Sequence, residues 1–110
     1  MEHFILDGKN PIMVSDPTMW AGWFGTANRT VAKTVVVPND TEVSTVFLGL
    51  DHGFGGVPLL FETLVFGGAC DGLMDRYSTW DEAEAGHIAM VEQVKERLAG
   101  ENVVPLRKSS

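Results

Sequence analysis

Two residues with acid–base chemistry, Asp51 and His52, stand where a strand-like segment gives way to a glycine-rich loop. Histidine titrates near neutral pH and can act as a general base beside a carboxylate. Neighbouring residues of an extended chain point to opposite sides, however, so these two side chains do not orient each other directly. We therefore favour a structural role in the loop for Asp51 and His52, with ligand binding as the alternative.

The loop that follows this pair contains three glycines, Gly53, Gly55 and Gly56. Glycine adopts positive φ without strain, and the backbone N–H groups of such a loop can be aimed at an anion or another ligand. No Gly-Lys-Ser/Thr follows, and the loop joins two strands, so it is neither a Walker A loop nor a Rossmann fingerprint. We predict a mainly structural loop that forms one wall of a ligand pocket if the protein has one.

One charge, Glu62, interrupts the apolar segment of residues 59–66. A carboxylate in that position needs a cation as its partner, or it marks an open groove. Arg29, Lys33 and Arg76 are the candidate cations, and structural pairing is the favoured interpretation. The predicted ligand-binding set combines the loop with this charge and one cation: Asp51, His52, Gly53, Gly55, Gly56, Glu62 and Arg76.

Three further residues could act as metal ligands or as a nucleophile: His87, Asp71 and Cys70. His87 lies on the apolar stripe of a predicted helix, where a histidine is more often a buried hydrogen-bonding residue than a ligand. No pair of histidines and acids has the His-Glu-x-x-His or Cys/His-finger spacing, and nothing around Cys70 marks an activated thiol. We predict no metal site and no cofactor.

Hydrophobic periodicity predicts the strands that position these residues. A short strand covers residues 4–6, and longer strands cover residues 31–37, 42–50 and 59–66. The turn residues 38–40 join the second and third of these strands into a hairpin. Because both faces of the longer strands are largely apolar, we expect self-association to cover what two helices leave exposed.

Two helices are predicted from their capping residues and apolar spacing. Asp16 caps the first helix, with Pro17 at its first position and aromatic residues on one face. A capping box begins the second helix, which covers residues 80–99 and is predicted to end at Gly100. Residues 101–110 are expected to form a C-terminal tail or a short strand.

The order β-α-β-β-β-α predicts an α+β fold, a two-layer sandwich of a mainly antiparallel sheet of three to five strands with two helices on one face. The chain has 110 residues, which fits a single domain over residues 1–100. Its 8 basic and 15 acidic residues give a net charge of −7, which disfavours nucleic-acid binding. The single cysteine, the lack of a signal-like start and the lack of a long apolar run predict a cytoplasmic protein.

Residues 43–68, VSTVFLGLDHGFGGVPLLFETLVFGG, carry a resemblance to a known group of proteins. Together with residues 20–24, 31–34 and 76–87, this segment resembles a group of small proteins of tailed phages and prophages that has no established activity. The resemblance covers most of residues 17–94. It implies a phage setting and the cytoplasm of the host cell, and it implies no mechanism.

This setting favours a small phage-encoded accessory protein that acts by binding, as a homodimer or larger assembly. Such a protein would counter host defence by blocking a host protein or by sequestering a nucleotide signal. One alternative is a small hydrolase-like enzyme that uses Asp51, His52, Glu62 and His87. Another alternative is a virion or assembly component.

Overall fold

The computed structural model describes residues 2–37, 41–53 and 55–109, with side chains as far as residue 100. Within these residues the chain forms six strands and two helices. In chain order they are β1 (His3–Asp7), β2 (Asn10–Val14), α1 (Pro17–Thr26), β3 (Thr30–Val36), β4 (Thr41–Phe47), β5 (Phe61–Phe66), β6 (Met74–Tyr77) and α2 (Trp80–Ser109).

The strands form two antiparallel sheets. The larger sheet has the order β3-β4-β5-β6, and the smaller is the β1-β2 hairpin. The predicted α+β fold with a mainly antiparallel sheet is therefore confirmed. The hairpin of β3 and β4 is also confirmed, whereas its predicted turn at residues 38–40 lies outside the described residues.

Two strands, β2 and β6, are absent from the predicted order, which is wrong in that respect. β2 contains Pro11, which cannot donate a backbone hydrogen bond, and most of its residues are exposed. β6 has four residues with Asp75 and Arg76 at its centre, so it lacks an apolar alternation. Short polar strands of this kind carry little periodic signal.

Helix α1 begins as predicted. The side chain of Asp16 accepts a hydrogen bond from the backbone N–H of Thr18 at 2.9 Å, and Pro17 stands at the first helical position. The aromatic side chains of the helix are half-buried, and the Trp23 ring packs edge-on against Phe47, with 5.8 Å between centroids. The helix thus closes one end of the sandwich beside the β1-β2 hairpin.

Helix α2 lies along the inner face of the larger sheet. Its capping box is confirmed, because Glu82 N–H donates to Thr79 Oγ1 at 3.1 Å and Thr79 N–H donates to Glu82 Oε1 at 3.2 Å. Its predicted end at Gly100 is wrong. The helix continues to Ser109, so residues 101–109, interpreted as a tail or short strand, are helical. Glycine inside a helix costs about 1 kcal/mol relative to alanine, which a helix with a packed face tolerates.

The core between α2 and the sheet consists of two apolar clusters. One is aromatic and lies at the β1 end; it is built around Phe4, Phe47, Phe61 and Ala83. The other is aliphatic and lies towards the C-terminal half of α2; its members include Val36, Val43, Val65, Cys70, Met90, Val91, Val94 and Leu98. No described helix is long and apolar enough to cross a membrane.

Candidate functional site

The predicted pair of Asp51 and His52 lies at the base of the loop that joins β4 to β5. Asp51 Oδ1 accepts hydrogen bonds from the backbone N–H groups of Gly53 at 2.7 Å and Leu59 at 3.0 Å. These two bonds, that from Gly53 first, lower the pKa of Asp51 below its usual value of 3.8. His52 N–H donates to the Leu59 carbonyl at 3.0 Å. The carboxylate therefore closes the loop.

The three loop glycines have different roles. Of the three, Gly55 uses the freedom to adopt a positive φ, 84°, whereas Gly53 and Gly56 do not. Gly53 is constrained instead by close approach, since a Cβ there would lie 3.1 Å from Asp51 Oδ1. The structure thus accounts for Gly53 and Gly55 as loop-forming residues. Their predicted part in ligand binding stays a prediction.

Glu62 and Arg76 are two predicted site residues whose side chains the structure brings into direct contact. They are register partners on β5 and β6, and Arg76 Nε lies 3.0 Å from Glu62 Oε2. The carboxylate side chain is 18% exposed and the guanidinium side chain 32%. Structural pairing of Glu62, with Arg76 as the cation, is confirmed.

Arg76 also lines a shallow surface cleft of about 400 Å³. The other residues around this cleft are Leu59, Tyr77, Ser78, Glu82 and Ala85. Leu59 belongs to the end of the Asp51 loop, so the loop and Arg76 meet at this point. A second shallow cleft, of about 300 Å³, lies near Lys9 and Trp80.

His87 is 5% exposed and lies between α2 and the sheet, in a row of hydroxyl groups that separates the two apolar clusters. Its Nδ1 lies 2.7 Å from Thr45 Oγ1, and its Nε2 lies 2.9 Å from Thr34 Oγ1. Thr45 bonds in turn to Thr63, to which the Tyr77 hydroxyl donates at 3.1 Å. The row crosses β3, β4, β5 and β6 on the inner face. Both ring nitrogens of His87 are thus held by structural partners.

This burial makes the stability of the protein depend on pH. Desolvation lowers the pKa of His87 in the folded state, while the unfolded chain keeps a value near 6.5. As the pH falls below about 6.5, the unfolded state takes up the proton first, so the free energy of unfolding falls; above that pH the stabilisation is fully present. Asp51 adds a second pH dependence at lower pH. Because its pKa is lowered from 3.8 in the folded state, the stabilisation that it provides is lost as the pH falls below about 3.8.

We expect the melting temperature to decrease between about pH 7.5 and pH 5, and the decrease to be smaller in a His87→Gln variant. Thermal unfolding followed by circular dichroism at several pH values measures this. His52→Ala is the control and should keep the pH dependence of the natural protein. An equal decrease in the His87→Gln variant would show that another group is responsible.

The outer face of the larger sheet, on the side opposite α2, is the strongest candidate for a binding surface. Neither described helix covers it. Its apolar residues are Val35, Val46, Leu64, Phe66 and Met74, of which Val35 is 55%, Phe66 46% and Met74 47% exposed. We call this surface the open face. An exposed apolar sheet face of this kind is typical of a protein–protein contact.

The open face also carries four charged residues. Lys33 and Arg76 stand on the two edge strands, and Glu42 and Glu62 stand on the two central strands. Two positive and two negative charges make the face neutral, within a chain whose net charge is −7. The face therefore differs in charge as well as in hydrophobicity from the average surface of the molecule.

The edges of the sheet are less suited to binding than its face. On β6, the backbone N–H of Arg76 donates to the side chain of Asp75 at 2.9 Å, so it is not free to pair with another strand. On β3, Lys33 occupies the middle of the strand. Charged side chains on edge strands oppose edge-to-edge pairing. Binding by strand addition is therefore disfavoured at both edges.

Glu62 and His87 lie on opposite faces of the sheet. Glu62 is on the open face, whereas His87 bonds to Thr34 and Thr45 on the inner face. Sequence reasoning missed Lys33, Glu42, Phe66 and Met74 as members of one surface. The alternation within each strand was visible, but their common face follows only from the register across four strands.

No group of three or more His, Cys, Asp or Glu residues in the described part of the chain is arranged to hold a metal ion. Comparisons with protein-family models, with curated proteins and with solved structures found no match.

Proposed function

We propose that the protein acts by binding and that the open face is its binding surface for another protein chain. The observation that carries this proposal is the combination of exposed Val35, Phe66 and Met74 on one sheet face with a neutral set of charges. A flat sheet face offers a protein a broad contact, whereas small molecules are usually bound in a concave pocket. Of the predicted partners, a protein therefore fits this surface better than a nucleotide.

Three of the four residues of the enzyme alternative support binding over catalysis. Asp51 is held by two backbone N–H groups, His87 by two threonine hydroxyls, and Glu62 by Arg76. A general base must reach a substrate proton, and these groups are engaged in the fold. The resemblance supports the setting of this proposal, in which a phage-encoded accessory protein in the host cytoplasm counters defence by blocking a host protein.

Affinity capture from phage-infected host lysate tests the proposal, with protein and nucleotide content read by mass spectrometry. We expect the natural chain to retain a defined host protein and a Phe66→Glu variant to lose it, because the variant places a charge among the exposed apolar residues of the open face. The control is Ile88→Glu, which changes a residue of α2 that is 65% exposed.

If the Phe66→Glu variant captured the host protein as well as the natural chain does, the binding surface would lie outside the open face. If only the Ile88→Glu variant lost the host protein, the binding surface would lie on α2. Retention of a nucleotide in place of a protein would contradict the proposal. The melting temperatures of both variants must match that of the natural chain for the comparison to count.

A further inference from the structure

We infer that the protein chain that covers the open face is a second copy of this chain, related by a twofold axis that runs diagonally to the strands, so that the strands of the two copies cross at about 90°. This inference rests on the proposed function, since it names the partner of the same surface. It follows from where the register places the four charges of the face. A host protein that binds the same face must then displace the second copy.

The register arranges the open face as a grid of three rows. Lys33 shares its row with Ser44, Leu64 and Met74. Glu42 lies in a second row, paired with Val35 and Phe66, and Glu62 lies in a third row, paired with Val46 and Arg76. With strands about 4.8 Å apart and alternate residues about 6.7 Å apart, the two glutamates occupy diagonally opposite places on the central strands.

A twofold axis through the centre of this grid has four simple directions. An axis along the strands places Glu42 over Phe66 and Glu62 over Val46 of the other copy, which buries carboxylates against apolar groups. An axis across the strands places Lys33 over Lys33. One diagonal axis places Arg76 over Arg76. Each of these three arrangements brings unpaired or like charges together.

The remaining diagonal axis brings no like charges together. It brings Lys33 of one copy to Glu62 of the other, and this pair occurs twice. It places Arg76 of one copy over Val35 of the other, one strand away from Glu42, so that a long guanidinium side chain can reach this carboxylate. Leu64 lies near the axis, inside this frame of charges. Orthogonal packing of two sheets, with strands crossing near a right angle, is an established geometry.

The area of the open face indicates how tightly the two copies bind each other. Four strands about 4.8 Å apart and six residues at about 3.3 Å each give a surface of roughly 20 by 20 Å, about 400 Å². A standard stable interface buries about 800 Å² on each partner. The dimer is therefore expected to dissociate in the micromolar range, and its mass to rise with concentration from the 12.0 kDa of one chain.

Charge reversal at the Lys33–Glu62 pair tests the geometry. Lys33→Glu alone and Glu62→Lys alone each place like charges across the interface, so each variant should dimerise at least tenfold more weakly than the natural chain. In an equimolar mixture, both cross-interface contacts join opposite charges again. The mixture should therefore form a heterodimer, which sedimentation velocity and native mass spectrometry detect.

Lys95→Glu and Glu92→Lys are the matched controls, since both residues are exposed on α2, and they should leave the dimer unchanged. Glu62→Lys also removes the ion pair with Arg76, so a carbodiimide cross-link of the natural protein provides a second measurement. It joins a lysine amine to a carboxylate in contact, with loss of water. The dimer band should contain the peptide that links Lys33 to Glu62.

A natural chain that stays at the mass of one copy up to millimolar concentration would overturn the inference. A dimer that both single variants leave intact, or a dimer band in which Lys33 is linked to a different acid, would overturn the geometry. If the chain is a monomer and Phe66→Glu still loses its host protein, the dimer fails while the proposed function stands. If the dimer forms and Phe66→Glu captures normally, the proposed function fails instead.

Discussion

Replacement of Val94 with aspartate is expected to unfold the domain at 25 °C. Val94 is fully buried, with 0% of its surface exposed, and it packs in the aliphatic cluster between α2 and the sheet. The substitution removes an apolar side chain and buries a carboxylate without a cation, which together cost more than about 4 kcal/mol. Domains of this size have only about 5–15 kcal/mol of stability.

Urea unfolding followed by tryptophan fluorescence measures this effect. Gln93→Asp is the control, because it makes the same change in charge on an exposed position of the same helix turn. The control should change stability by less than about 1 kcal/mol. A Val94→Asp protein that unfolds at the same urea concentration as the natural chain would contradict the packing of α2 on the sheet.

Alanine at Gly86 is expected to have the second largest effect. The Tyr77 ring lies directly against the Gly86 backbone, and a Cβ there would fall far inside van der Waals contact with the ring. The ring would have to move, which would break the Tyr77–Thr63 hydrogen bond in the row of hydroxyl groups. Overpacking of this kind costs about 1–3 kcal/mol, more than the roughly 1 kcal/mol that alanine gains in a helix.

Two measurements check the Gly86→Ala prediction. Denaturant unfolding should show a loss of stability, whereas the control Gly22→Ala should show a gain, because open space surrounds Gly22 in α1. Burial raises the pKa of Tyr77, the only tyrosine of the chain, so an absorbance titration reports its position. The raised pKa should fall back towards 10.0 in the Gly86→Ala variant. A stabilised variant with an unchanged titration would show that the ring does not lie on Gly86.

Strong local patterns made much of the fold predictable. The capping box of Thr79 and Glu82 and the β-branched strands β3 to β5 follow from residues close together in sequence. Strand β6 is different, because Asp75 and Arg76 have no periodic pattern of their own. Its place in the sheet depends on pairing with β5.

The candidate site, like strand β6, depends on contacts between residues that are far apart in sequence. Glu62 was recognised as a charge that needs a partner, and Arg76 was among its candidates. An apolar sheet face left exposed by the helices was expected, but its charged frame was not recognised, because Lys33, Glu42 and Met74 become neighbours only through the long-range register of four strands. The interpretation of His87 as a buried hydrogen-bonding residue is confirmed, but its partners Thr34 and Thr45 lie on β3 and β4 and carried no signal in the sequence.

The central claim, that the open face binds a protein, is tested most directly by the oxidation of methionine side chains. Met74 on the open face is 47% exposed, while Met13 and Met19 lie away from it and are 57% and 55% exposed. Limited peroxide treatment, read by mass spectrometry, should oxidise all three in dilute purified protein. In concentrated protein and in infected-host lysate, Met74 should be oxidised several-fold more slowly while Met13 and Met19 keep their rates. A Met74 rate that is unchanged under both conditions would contradict the account.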